Sequence, residues 1–151
     1  MKSNIYIAAI SLAALGFASS ADAFSFSPTK TRFTATGPVS ATLNGATLSC
    51  TGKFRISTNK GGKGKVTVVS FSGSQNCKTA GAAGLPWAMT ATGATTAKIV
   101  NADFTSPAGN CGPANLAVGV SGGVISFNGA VGQCSQVSFS LTTTPTISIV
   151  P

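Results

Sequence analysis

Short segments of alternating apolar and polar side chains run along most of this chain, with turn-forming residues between them. Such period-two alternation is typical of half-buried β-strands, and residues 137–141 follow it strictly. Glutamate is absent, while Val, Ile, Thr and Phe are common, which also favours strands over helices. About nine or ten short strands with frequent turns predict an all-β fold, an antiparallel sandwich or barrel.

Several turn signals locate these strands. We predict hairpins around glycine-rich turns at 59–64 and 121–123, and two more around Gly37-Pro38 and Gly93. The flanking strands are predicted at 53–57, 66–71, 116–120, 124–127, 32–36, 39–43, 87–92 and 95–100, with Ile147 and Ile149 on one face after Pro145. The alternation slips phase between Val68 and Val69, which predicts a β-bulge.

Residues 1–23 have the features of a cleaved signal peptide. Lys2 is followed by an apolar run at 5–17, and Ala21-Asp22-Ala23 fits a small-x-small cleavage site. A membrane-spanning helix needs roughly 20 apolar residues, longer than this run or any later one. We therefore predict export of a single β-rich domain, residues 24–151, without a transmembrane segment, as a secreted protein.

Four cysteines, Cys50, Cys77, Cys111 and Cys134, follow this predicted export signal. Disulfides persist outside the cytosol, so an even number of cysteines indicates two bridges, for which three pairings exist. No pair has C-x-x-C spacing, which argues against a zinc site or a thioredoxin-like redox motif.

An internal similarity favours one pairing. Ser-Phe-x-Gly runs into Cys77 and again into Cys134, and each is preceded by another cysteine and a predicted hairpin. Cysteines that flank a hairpin come close when its strands pair, so Cys50–Cys77 and Cys111–Cys134 are favoured. Each bridge stabilises the fold by about 3–4 kcal/mol on the chain-entropy model. Chance similarity between Ser/Gly-rich segments is the alternative to duplication.

Beyond Ala23 the chain has no histidine and a single carboxylate side chain, Asp103, against nine lysines and arginines. Most enzymes need a group that titrates near neutral pH, and metal sites usually need His, Cys or acidic ligands. We therefore predict a non-catalytic protein without a metal or cofactor. The net charge of +8 favours anionic partners.

The run 60–65 concentrates part of this charge. It lacks the first glycine and the final Ser or Thr of a phosphate-binding loop, so nucleotide binding is not predicted. Lys60, Lys63 and Lys65 form either a solvated turn or a contact for an anionic surface such as an acidic polysaccharide, lipid headgroups or DNA. No aromatic residues are interleaved with them, so specific nucleic-acid binding is not expected.

Two apolar features have both a functional and a structural interpretation. Leu85 and Trp87 are candidates for an exposed apolar anchor, or else belong to a rigid turn that places the indole in the core. Phe24 and Phe26 lie in an alternating segment at the predicted mature N-terminus. This segment is a candidate donated strand for a neighbouring molecule, or else folds back onto its own domain.

Three short motifs suggest a family: Gly-Leu-Pro-Trp at 84–87, Gly-Asn-Cys-Gly-Pro at 109–113 and Gly-Gln-Cys at 132–134. With the signal peptide, they resemble the alkane-oxidation-activator family, called PraB-like, over nearly the whole mature chain. The resemblance implies a small secreted bacterial protein associated with growth on hydrophobic substrates and with surface adhesion or biofilm formation. It implies no catalytic mechanism.

Two functions follow as hypotheses. The first is a structural or adhesive surface protein, a biofilm-matrix or fibre subunit that self-associates or contacts cell-surface components or hydrophobic substrates. The alternative is an extracellular carrier that holds a small apolar ligand, such as an alkane, in a barrel interior. A deep apolar pocket favours the carrier, whereas a packed sandwich with a loose terminal strand favours assembly.

Overall fold

The structure is a computed structural model that describes residues 23–151, so all but the last residue of the predicted signal peptide lies outside it. The described part contains eleven strands and one short helix. These are β1 (Ser25–Ser27), β2 (Arg32–Leu43), β3 (Ala46–Thr58), β4 (Lys63–Ser72), α1 (Gln75–Lys78), β5 (Gly81–Ala83), β6 (Trp87–Ala91), β7 (Thr96–Ser106), β8 (Gly109–Ser121), β9 (Val124–Val131), β10 (Cys134–Thr144) and β11 (Ser148–Val150).

Eight of the strands form a closed antiparallel barrel, which confirms the all-β prediction and selects the barrel over the sandwich. The order is β7-β6-β4-β3-β2-β10-β9-β8, and β8 pairs with β7 to close the ring. Strand β5 adds to β7 beyond the end of β6. Closure pairs strands that would otherwise be sheet edges.

The hydrophobic core lies inside the barrel. Successive side chains of each strand point alternately inward and outward, so every second side chain enters the core. On β3, Phe54 and Ile56 are buried while Lys53 and Arg55 are exposed. Phe54 lies at the centre of an aromatic cluster, with its ring centroid 6.4 Å from that of Phe71 and 5.8 Å from that of Phe139. The alternation of this strand therefore places its basic residues on the outer surface of the barrel.

The predicted hairpins at β3–β4, β6–β7 and β8–β9 are all present. The β8–β9 turn uses Gly122 and Gly123, both with positive φ, as tight hairpin turns require. The predicted bulge in β4 is also present. Arg55 and Ile56 pair with Val68 and Val66, which leaves Thr67 as the extra residue, one position earlier than the sequence suggested.

The predicted turn at Gly37-Pro38 was wrong, because both residues lie inside the continuous strand β2. Gly37 is needed there for close packing rather than for a turn. A Cβ atom at this position would lie only 2.0 Å from the backbone oxygen of Ser140 on β10. The glycine therefore permits close contact between two neighbouring strands of the barrel.

The two ends of the described chain pair with each other across one end of the barrel. Ser25, Phe26 and Ser27 of β1 align with Val150, Ile149 and Ser148 of β11. Phe26 is fully buried, and its ring approaches Gly64 at the start of β4. Of the two arrangements that the sequence left open for this segment, the structure contains the folded-back one, with Phe26 aligned to Ile149 of the domain's own β11.

Candidate functional site

A cavity of about 390 Å³ lies at the opposite end of the barrel from the β1–β11 pair. The β2–β3 hairpin lines one side of it, and the end of β7 with the β7–β8 turn lines the other. Its volume is within the range of pockets that hold small molecules. The lining includes Val39, Ala41, Leu43, Leu48, Phe71, Phe104, Pro107, Ala108 and Val137.

The lining is largely apolar and has no charged side chain. One of its few polar groups, the hydroxyl of Ser106, donates a hydrogen bond to the backbone oxygen of Gly109 at 2.7 Å. Small side chains at Ala41, Ala46 and Ala108 leave space where larger residues would fill the end of the barrel. The arrangement suits an apolar ligand and provides no acid–base pair for chemistry.

Helix α1 forms part of the cavity wall through Asn76, and the segment after it through Ala80. The hydroxyl of Ser74 caps the helix by accepting a hydrogen bond from the backbone N–H of Cys77. A disulfide joins Cys77 to Cys50 on β3, as predicted. So short a helix has little stability alone, and the bridge fixes it against the barrel.

The second predicted disulfide, Cys111–Cys134, is also present and closes a weakly paired part of the barrel. Strands β8 and β9 pair only beside their turn, over residues 119–121 and 124–126. Further along they separate, and the disulfide links β8 to the start of β10. In this region Gly132 lies against the backbone of Gly112. A Cβ atom on Gly132 would be only 2.4 Å from the backbone nitrogen of Gly112.

Trp87 is a core residue, so of the two interpretations of this position the rigid turn that places the indole in the core is confirmed. Its side chain is 1% exposed, and its Nε1–H donates a hydrogen bond to the backbone oxygen of Ala83 at 2.8 Å. That partner satisfies the indole nitrogen and permits burial of the whole ring. Leu85 is half-buried against the core and likewise does not form a protruding anchor.

The lysines singled out in the sequence lie at the other end of the barrel from the cavity. Lys60 lies in the β3–β4 turn, and Lys63 and Lys65 lie at the start of β4, all three exposed. The backbone oxygen of Phe24 lies against Gly62 in the same turn. The lysines are therefore beside the paired chain ends and do not contribute to the cavity.

Other candidate chemistry is sparse among residues 23–151. This range holds no cluster of three or more His, Cys, Asp or Glu side chains suited to a metal ion. Asp103 is half-buried, and its Oδ1 has no hydrogen-bond partner in the described structure. Both disulfides indicate an oxidising compartment, extracellular or periplasmic. None of the described helices has the length and hydrophobicity that crossing a membrane requires.

Sequence reasoning named a barrel interior as a ligand site but none of the residues that line it, apart from Cys50 and Cys111. The pocket depends on which strand ends meet around the ring, a long-range relation that local patterns do not contain. The alanines at positions 41, 46 and 108 can be read from the sequence, but nothing in the local pattern around them marks them as lining a pocket.

Comparison with known proteins identifies a family. Neither the curated proteins nor the solved structures gave a match. A family model described as alkane oxidation protein activator PraA/PraB-like matches residues 1–151, the full length given. The motifs noted in the sequence at 84–87, 109–113 and 132–134 all lie within this match. The chain therefore belongs to the PraA/PraB-like family of alkane oxidation protein activators.

Proposed function

We propose that this protein is a secreted, non-catalytic carrier that binds a small apolar molecule, such as an alkane, at the end of its barrel. The observation that supports the proposal is the cavity of about 390 Å³ with apolar walls and no charged lining residue. Burial of apolar surface contributes about 25 cal/mol per Å², so such a ligand binds without any specific polar contact. The family description, which concerns alkane oxidation, is consistent with a ligand of this kind.

The position of the single tryptophan permits a direct test. Trp87 contacts Phe104, whose side chain lines the cavity, with ring centroids 5.2 Å apart. Titration of the disulfide-bonded protein with a medium-chain alkane should therefore change its tryptophan emission in a saturable manner. A saturable response to the alkane, but not to a short polar alcohol, is the expected result.

A filled-cavity variant makes the test specific. Ala41→Phe places a ring in the cavity and should abolish the response, whereas Ala117→Phe places the same ring on an exposed position of β8 and should preserve it. Melting temperatures establish that both variants are folded. An unchanged alkane affinity in folded Ala41→Phe contradicts the proposal.

A structural or adhesive role in a cell surface or biofilm matrix is the second candidate function. Its support is the exposed positive charge, which includes Lys60, Lys63 and Lys65 at one end of the barrel. Attraction between exposed charges is screened beyond about 8 Å at physiological ionic strength. Adhesion that persists at high salt therefore contradicts this role for the lysines. Fibre assembly through a donated N-terminal strand has no support, because Phe26 is buried in its own domain.

A further inference from the structure

Positive charge is concentrated on one side of the barrel. The described range contains nine basic residues, and eight of them lie on β2, β3, β4 and β7 or in the segments next to β2 and β4. The ninth, Lys78 of α1, lies near the cavity. Strands β8, β9, β10 and β11 have none. Two of the eight, Lys30 and Lys60, lie in connecting segments. The other six lie on strands and are all exposed: Arg32, Lys53, Arg55, Lys63, Lys65 and Lys98.

The strand register brings the nearest of these residues into one patch. Arg32 aligns with Ser57, which aligns with Lys65 on the next strand. Lys63 aligns with Thr90, which in turn aligns with Lys98. Neighbouring strands lie about 4.8 Å apart, so the backbones of each charged pair are about 10 Å apart, with one uncharged side chain between them.

The patch has no acidic side chain to neutralise it. Asp103 is the single carboxylate side chain beyond Ala23, and it lies on β7 opposite Ala83 of β5, away from the aligned positions above. Closely spaced like charges repel each other and attract a multivalent anion. An extended anionic polymer fits this patch better than a small anion, because the charges spread across several strands on an exposed surface.

The surroundings of the patch favour a polysaccharide over a membrane or a nucleic acid. The exposed large hydrophobic residues of the described chain are Val68 and Val150, which provide little apolar surface for insertion into lipid. Among residues 23–151, none of the aromatic side chains is exposed to stack on unpaired bases. The half-buried hydroxyls of Ser57 and Thr90 lie between the charges and suit hydrogen bonding to sugars.

We infer that the part of the β2-β3-β4-β6-β7 face nearest the β3–β4 turn binds an acidic polysaccharide and that this attachment leaves the cavity, at the opposite end of the barrel, clear of the polymer. The orientation follows from the barrel, because the β3–β4 turn and the β2–β3 turn lie at opposite ends of β3. Binding of the polysaccharide does not depend on the proposed carrier function. The orientation of the cavity matters only if the protein is a carrier, so that consequence rests on the proposed function. A protein held in this way presents its apolar cavity to the surrounding medium.

The test uses the disulfide-bonded protein on immobilised polygalacturonate, a carboxylate polysaccharide. Lys65→Gln should weaken binding about two- to fivefold, as expected for an exposed charge contact, and Lys63→Gln/Lys65→Gln should weaken it further. Lys78→Gln removes the same charge at the cavity end and is the matched control, with binding unchanged. Binding should also fall steeply with added salt.

Three outcomes overturn the inference. The first is equal weakening of binding by Lys78→Gln and Lys65→Gln, which would show that binding depends on net charge and not on the position of the charge. The second is equal or tighter binding to double-stranded DNA or to anionic phospholipid vesicles with the same dependence on Lys65. The third is salt-independent binding to polygalacturonate.

An alkane titration of the double variant separates this inference from the carrier proposal. An unchanged tryptophan response is expected, because Lys63 and Lys65 do not line the cavity. Loss of polysaccharide binding with alkane binding intact supports the charged face. If wild-type protein binds polygalacturonate but no alkane, the carrier proposal fails while the charged face stands.

Discussion

The indole of Trp87 packs edge-on against Phe104, with an interplanar angle of 79° and ring centroids 5.2 Å apart. Phe104 in turn faces the cavity, so the tryptophan supports the cavity wall from behind. A change in the wall is therefore transmitted directly to the only tryptophan of the chain.

Replacement of Trp87 by phenylalanine separates its core role from any surface role. Trp87→Phe removes the hydrogen bond to the Ala83 oxygen and part of the packed ring, and we expect a loss of about 1–3 kcal/mol in unfolding free energy. Denaturant titration measures this loss. Adhesion to hydrophobic beads should remain the same, and a reduction without unfolding would show that the indole is a surface contact.

The two disulfides should have distinct local effects. Cys50→Ala/Cys77→Ala and Cys111→Ala/Cys134→Ala should each cost about 3–4 kcal/mol, since their loops are of similar length. Hydrogen exchange should increase mainly in α1 for the first variant, and in residues 127–131 for the second, where β8 and β9 are not paired. An identical exchange pattern in both variants would contradict these separate roles.

Glycine at position 37 should be required for barrel closure. Gly37→Ala forces a methyl group into the backbone of Ser140, and we expect a loss of at least about 1–3 kcal/mol, measured by thermal unfolding. Gly81→Ala is the control, because its Cβ atom would have only an ordinary contact, at 3.4 Å from the Thr105 hydroxyl. Equal melting temperatures of the two variants would contradict the close packing described.

Loss of the Phe26 side chain should affect folding rather than assembly. Phe26→Ala creates a cavity in a fully buried position and should cost about 3–5 kcal/mol. Sedimentation of the folded fraction should give the same mass as the wild type. Dissociation of a wild-type multimer by this substitution, with the monomer still stable, would instead support strand exchange between molecules.

Local patterns predicted those features that depend on neighbouring residues. The period-two alternation of β3 and β10, the glycine turn at 122–123 and both disulfide pairings are consequences of nearby sequence. Gly37 was misinterpreted because glycine serves both turns and close strand contacts, and only the position of β10 distinguishes them.

The long-range features required the structure. The pairing of β2 with β10 joins residues about a hundred positions apart, and closure by β7 and β8 decides which side chains surround the cavity. The environment of Trp87 also remained open in the sequence, because its burial depends on Phe104 of β7, a ring supplied by another strand.

The pairing of β1 with β11 makes the folded backbone nearly circular. Ser25 and Val150 are opposite each other in an antiparallel pair, which places their Cα atoms about 5 Å apart. A short linker between these ends, with new termini opened at the exposed Asn44-Gly45 turn, would leave every strand of the barrel in its present order around the ring. The same geometry means that a fusion partner attached to either original end projects from the lysine-bearing end and leaves the cavity accessible.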